Sequence, residues 1–130
     1  MKINSFTDLE IWQLARIQCA DVFKLISKPD FSKDWGLVNQ INRSSGSVMD
    51  NIAEGFGRTG NQEFINFLLI SNGSNAEVQS QLYRAFDRKY LNEDELKDLI
   101  EKSEIIHRKI MAFIKYLKQS GIKGYRYKKD

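Results

Sequence analysis

One cysteine, one histidine and one proline stand among 130 residues, and each scarcity closes a class of explanation. Cys19 alone cannot form an internal disulfide, so a reducing, cytoplasmic setting is expected. His107 has no second histidine to complete the paired Glu-x-x-His ligands of a di-iron bundle, although Glu104 supplies one such spacing. Serines abound, but no second histidine and no properly spaced lysine motif accompanies them, so a nucleophilic triad has no support in the sequence. No apolar run approaches the roughly 20 residues that crossing a bilayer takes. The opening residues Met1–Asp8 lack the apolar stretch of a secretory signal. Asn42 and Asn72 head Asn-x-Ser sequons that are then chance matches within helices. A non-enzymatic chain with no metal, no cofactor and no membrane partner is the expectation.

Net charge is small, +3, but unevenly placed. From Ile105 onward eight Lys or Arg residues face one acid, Asp130. That segment therefore carries +7, and residues 1–104 carry −4 (+3 less +7). Such asymmetry fits an anionic partner, or a helix whose cations complement its own dipole.

No segment alternates with period two for long enough to make a strand, whereas spacings of three and four recur throughout. A first helix carries Trp12, Ala15, Cys19, Val22 and Ile26 on one stripe, with Ile11, Leu14, Ile17, Phe23 and Leu25 widening it. Thr7 with Glu10 reads as its capping box and Phe6 with Ile11 as a hydrophobic staple. Pro29 disfavours helix at Lys28 and ends it near Ser27. A second helix starts between Phe31 and Trp35 and runs to about Gly57, with Val38, Ile41, Ser45, Val48 and Ile52 inward. A third follows Gly60, with Phe64, Phe67, Leu68, Ser71, Asn75, Val78, Leu82 and Ala85. In the fourth, Leu96, Leu99, Ser103, Ile106, Ile110, Phe113 and Leu117 repeat without a break. Asn92 and Glu95 cap its start, Lys115 and Lys118 occupy its rear, and Gly121 stops it. Short connections then give an all-α, antiparallel up-down-up-down four-helix bundle over residues 1–121, with a basic tail at 122–130.

Helices two and three meet near residue 60, so positions whose numbers sum to about 120 should share a level. Gly46 and Ser47 then face Ser74 and Gly73, a small-residue contact that lets two backbones approach. Glycine in mid-helix otherwise costs about 1 kcal/mol. Arg43 falls opposite Glu77, which predicts a cross-helix ion pair. Glu54 precedes Arg58 by four residues, the favourable order within a helix. The pair Asp50 and Glu54 then reads as a braced helix end rather than a catalytic centre.

Gly55-Phe-Gly-Arg-Thr-Gly60 matches G-x-G-x-x-G. A dinucleotide site needs that pattern between a strand and a helix. Here it follows a helix, and ending that helix is the simpler role. The tail, by contrast, interleaves Lys123, Arg126, Lys128 and Lys129 with Tyr125 and Tyr127. Tyrosine rings can stack on bases while the cations neutralise phosphates. Arg108, Lys109, Lys115 and Lys118, expected on the outside of the fourth helix, extend that surface.

Several short blocks occur in a telling order. They are Phe6-x-Asp8-Leu9-x-x-Trp12, Leu37-x-x-Gln40-Ile41-x-Arg43 and Asn51-Ile-Ala-Glu-Gly-x-Gly-Arg58. Glu63-Phe64-x-x-Phe67-Leu68, Gly73-Ser74-x-x-Glu77-x-x-x-Gln81-Leu82 and Tyr90-Leu91 follow. With them the chain resembles, from Phe6 to Gly121, the four helix bundle family, also called 23S rRNA intervening-sequence or S23-type proteins. Its structural signature here is Arg43, Gly46, Ser47, Asn51, Glu54, Gly55, Gly57, Arg58, Gly73, Ser74 and Glu77. Ser44, Ser45 and Gly46 stand where the family usually has alanine or apolar residues, and Asn75 where it usually has leucine.

The resemblance implies antiparallel bundles assembled as homopentameric rings, some of them encoded within bacterial 23S rRNA genes. A similar protein, the accessory variability determinant of diversity-generating retroelements, is a pentamer that binds a reverse transcriptase and nucleic acid. The expected function is therefore an RNA- or DNA-binding adaptor. The alternative is a protein-interaction scaffold, for example for a reverse-transcriptase-like partner, without direct nucleic-acid contact. The broad apolar surface of the first helix permits self-assembly in either case.

Overall fold

The computed structural model describes residues 3–120, and every regular element among them is helical. A single 3-10 turn, Phe6–Asp8, leads into α1 (Glu10–Ile26), α2 (Pro29–Ser32), α3 (Trp35–Phe56), α4 (Asn61–Asp87) and α5 (Glu93–Ser120). Gly121 and the tail at 122–130 lie outside the described residues.

The chain enters α1 differently from the sequence expectation. Ser5, not Thr7, is the capping residue: its Oγ accepts from Thr7 N at 3.2 Å, while Asp8 Oδ2 accepts from Ser5 N at 3.1 Å. Thr7 is itself inside the 3-10 turn, so the cap position of α1 falls to Leu9, which has no side-chain acceptor. Glu10 is thereby released to pair with Lys109 at 3.2 Å. Phe6 lays its ring edge-to-face on Trp12, with centroids 5.1 Å apart.

The expected plain connection after α1 contains a helical turn. Pro29 occupies its first turn, where the missing N–H costs nothing. That turn drives Phe31 into the core, fully buried and stacked on Tyr90 with centroids 4.7 Å apart. Asp34 then caps α3 by accepting from Leu37 N at 3.3 Å. At the start of α5, Asn92 and Glu95 cap each other's backbone N–H at 2.8 and 2.9 Å, as their spacing predicts.

One core joins the long helices. Leu37, Ile41 and Ile52 of α3 meet Phe64, Leu68 and Leu82 of α4, with Ile106, Ile110 and Leu117 of α5 closing over them. Each such side chain contributes about 1.5–3 kcal/mol on leaving water. Helix α3 packs on α4, α4 on α5, and α1 on both α3 and α5. Along the α3–α4 seam one residue number rises as the other falls: Ser47 meets Ser74, Val48 meets Ser71, and Gly55 meets Phe64. The α4–α5 seam does the same through Phe64 with Phe113, Asn75 with Ser103, and Gln79 with Ser103. Both pairs therefore run in opposite directions. No helix among the described residues is long and apolar enough to cross a membrane.

Candidate functional site

The hairpin of α3 and α4 carries the signature residues, and its contacts are made by hydroxyls and one glycine. Ser47 Oγ lies 2.8 Å from Ser74 Oγ, and Asn51 Nδ2 donates to Ser47 Oγ at 2.9 Å. One turn away, Ser71 Oγ donates to the Val48 carbonyl at 2.6 Å. Gly55 is the position where a backbone must approach. A Cβ there would stand 2.8 Å from both Phe64 Cδ1 and Phe67 Cβ. Beyond it Glu54 holds Arg58 at 2.7 Å, and the guanidinium lies 5.0 Å from the Phe67 ring centre.

Two expectations for this hairpin fail. Arg43 and Glu77 are both exposed and no ion pair joins them. Equal level along two helices does not fix direction around them, and it is Ser44, the next residue, that turns inward to bond Gln81. Gly46 and Gly73 do not carry the backbone contact either, since a Cβ on each would meet nothing within 4 Å. Gly57 caps α3 with φ −77°, an ordinary helical value that asks for no glycine. Gly55 lies inside α3 and Gly60 caps α4, so the glycine pattern joins two helices rather than a strand and a helix.

A buried polar cluster crosses the core beside this hairpin. Asn75 Oδ1 accepts from Gln18 Nε2 at 2.9 Å and from Ser103 Oγ at 2.7 Å. Gln79 Nε2 donates to Ser103 Oγ at 2.9 Å. Gln18 is 4% exposed and its Oε1 has no partner. The sequence stripe put Cys19 inward and missed Gln18; Cys19 is half-buried, with its sulfur 3.9 Å from Ser45 Oγ. The usable signal was that Gln18 lies three residues after Ala15 and four before Val22.

At the opposite end from the hairpin turn, Asp34 gathers α3 and the end of α4. Its Oδ2 accepts from Tyr90 Oη and from Arg88 Nη1, each at 2.8 Å. Those bonds, the tyrosine's first, hold the Asp34 carboxyl below its usual range, while the same bond pushes the Tyr90 phenol up. Between α1 and α5, Lys102 reaches Asp98 at 3.1 Å and Asp21 at 3.3 Å, and both carboxylates raise its ammonium.

The cationic face occupies the second half of α5. Arg108 and Lys115 are exposed and fall about 20° apart around the helix, near the middle of its outward side. Lys118 is exposed on one flank; Lys109, on the other, is held by Glu10. Arg108, Lys115 and Lys118 have no ion pair among the described residues. Lys123, Tyr125, Arg126, Tyr127, Lys128 and Lys129 lie outside the described residues. His107 is exposed, with Nδ1 2.8 Å from Asn72 Oδ1. Among the described residues no three His, Cys, Asp or Glu side chains gather as metal ligands would. Asp50 and Glu54 are both exposed.

The sequence model of the 23S rRNA-intervening sequence protein family matches residues 7–112. No curated protein matches the chain. Among solved structures, the chain is similar to a protein of unknown function from the S23 ribosomal protein family of Bacteroides thetaiotaomicron. The two share 20% identity at a TM-score of 0.74, over 81% of this chain and 98% of that one. At that identity the likeness speaks for the fold.

Proposed function

The chain belongs to the 23S rRNA-intervening sequence protein family, and from that premise we propose a non-enzymatic, cytoplasmic adaptor that assembles with itself and binds RNA or DNA. On this reading the long helices form an antiparallel up-down-up-down four-helix bundle, and five copies close into a ring. Opposed directions along the α3–α4 and α4–α5 seams support the first part. Leu69, Ile70 and Tyr83, all about half exposed on the outer side of α4, support the second. Gly73 sits among them with open space where a side chain would be, so another backbone could approach closely.

The observation that carries the nucleic-acid reading is the run of exposed cations on α5, continued in sequence by four more beyond it. Such a surface attracts phosphates by counterion release, and a ring would multiply weak contacts. Trp35, 77% exposed, and Phe23, 66% exposed, favour a second role in docking a protein partner. Mass measurement in solution at two salt concentrations, with and without a mixed RNA pool, tests both parts. A pentamer that gains RNA mass at low salt and sheds it at high salt is expected. A monomer, or a mass indifferent to RNA at both salts, would contradict the reading.

A further inference from the structure

Two apolar stripes face outward on α1 and α4. On α1, Ile17, Ala20 and Phe23 are exposed within about 120° of one another around the helix. Arg16 and Lys24 flank them, both exposed and neither in an ion pair among the described residues. On α4, Leu69, Ile70 and Tyr83 are exposed around a floor of Gly73, Ala76 and Ser80. Glu77 and Asp87 stand along that stripe, exposed and likewise in no ion pair among the described residues; Arg84 between them is half-buried. Helix α1 packs on α3 and α5, and α4 packs on the same two, which sets α1 and α4 at opposite corners. We propose that the two stripes meet between copies, the α1 stripe of one chain docking on the α4 stripe of the next.

Shape, charge and placement each favour a second copy as the occupant. Phe23 is the most prominent side chain of the α1 stripe, 66% exposed. A Cβ on Gly73 would meet nothing within 4 Å. That leaves low ground beside Leu69 and Ile70, its neighbours one turn back, where an aromatic ring can enter. Arg16 and Lys24 lie about 12 Å apart along α1, and Glu77 and Asp87 about 15 Å apart along α4, so two opposite-charge pairs can close together. Each chain carries both halves at opposite corners, so a docked copy still offers its other stripe to a third. A head-to-tail contact of this kind closes into a ring when its rotation permits. This contact rests on the self-assembly proposed above and specifies its surfaces. It takes Phe23 into the self-contact and leaves Trp35 to a protein partner.

The full chain tests this by mass measurement over a dilution series, with two variants that break one stripe each. Ile17→Asp/Phe23→Asp alters α1, and Leu69→Asp/Tyr83→Asp alters α4; all four positions are exposed. Each variant alone should be a single folded chain, with the helical circular dichroism and thermal midpoint of the unaltered protein at matched dilution. Mixed, they should form a one-to-one pair and nothing larger, because one intact stripe remains on each. Assembly by either variant alone overturns the contact, since like stripes then suffice. Folded variants that stay single when mixed overturn it too. Charge reversal decides the matter should a double aspartate variant unfold. Arg16→Glu/Lys24→Glu and Glu77→Lys/Asp87→Lys should each weaken assembly about tenfold, and a chain carrying all four changes should recover to within about threefold. No recovery overturns the contact. An unaltered chain that stays single at every concentration removes the self-assembly reading itself, whereas an unaltered oligomer with any contrary result above removes only this pairing of surfaces.

Discussion

Gly55 and Lys89 show how single positions carry backbone demands that composition does not announce. A methyl group at Gly55 would drive into Phe64 and Phe67 at 2.8 Å. Gly55→Ala should therefore destabilise by about 2–3 kcal/mol, as overpacking does, read by urea denaturation. Lys89 has φ 66°, the one left-handed non-glycine among the described residues. Tyr90 N bonds the Ala85 carbonyl at 3.0 Å and Lys89 N the Phe86 carbonyl at 2.9 Å, a helix ending that glycine suits best. Lys89→Gly should stabilise by about 0.5–1 kcal/mol in the same measurement. Asp34 supplies a pH dependence with a definite sign. Its folded pKa lies below the ordinary 3.8, so its contribution is present above that value and is lost as pH falls through the depressed one. Acid titration of the unaltered chain should show a loss of stability in that window that Asp34→Asn lacks. An identical acid slope in the two would remove this role.

At the scale of elements, the apolar period predicted the four long helices and the faces they bury, but not the short turns Phe6–Asp8 and Pro29–Ser32. Ile41, Val48, Ile52, Phe64, Leu68, Ile106 and Ile110 are all where spacing put them. What spacing could not reach was direction around a helix to within one residue. A step of one residue is about 100°, which separates exposed Arg43 from buried Ser44, and half-buried Cys19 from buried Gln18. Contacts between distant positions were equally hidden, since nothing local ties Asp34 to Tyr90. The cap at Ser5 was missed because a 3-10 turn precedes the helix. The core cluster makes the element-scale prediction. Asn75→Leu strips acceptors from Gln18 Nε2 and Ser103 Oγ and should cost about 2–3 kcal/mol. Adding Gln18→Leu should recover part of that loss, because the orphaned amide goes with it. A double-mutant cycle with no coupling between the two positions would show that the cluster acts as separate residues.

Across the whole molecule, charge is sorted by position in the chain: acids gather at the start of α5 and cations at its end. That arrangement was legible from counting alone, because it depends on sequence order and not on packing. The open space beside Gly46 and Gly73 was not legible; that a Cβ on either would meet nothing within 4 Å is visible only in the fold. In a single chain on its own, Gly73→Ala should stabilise by about 1 kcal/mol. If a second copy packs there, the same change should weaken assembly, and dilution followed by mass measurement separates the two effects. The most direct test of the cationic surface is RNA affinity across a salt series. The comparison is between the unaltered chain and one with Arg108, Lys109, Lys115, Lys118, Lys123, Arg126, Lys128 and Lys129 changed to glutamine. A logarithmic slope near −0.7 for each phosphate contacted is expected for a single strand, with a much shallower slope and weaker binding in the variant. Equal slopes and affinities in the two proteins, or no binding by either at low salt, would contradict it.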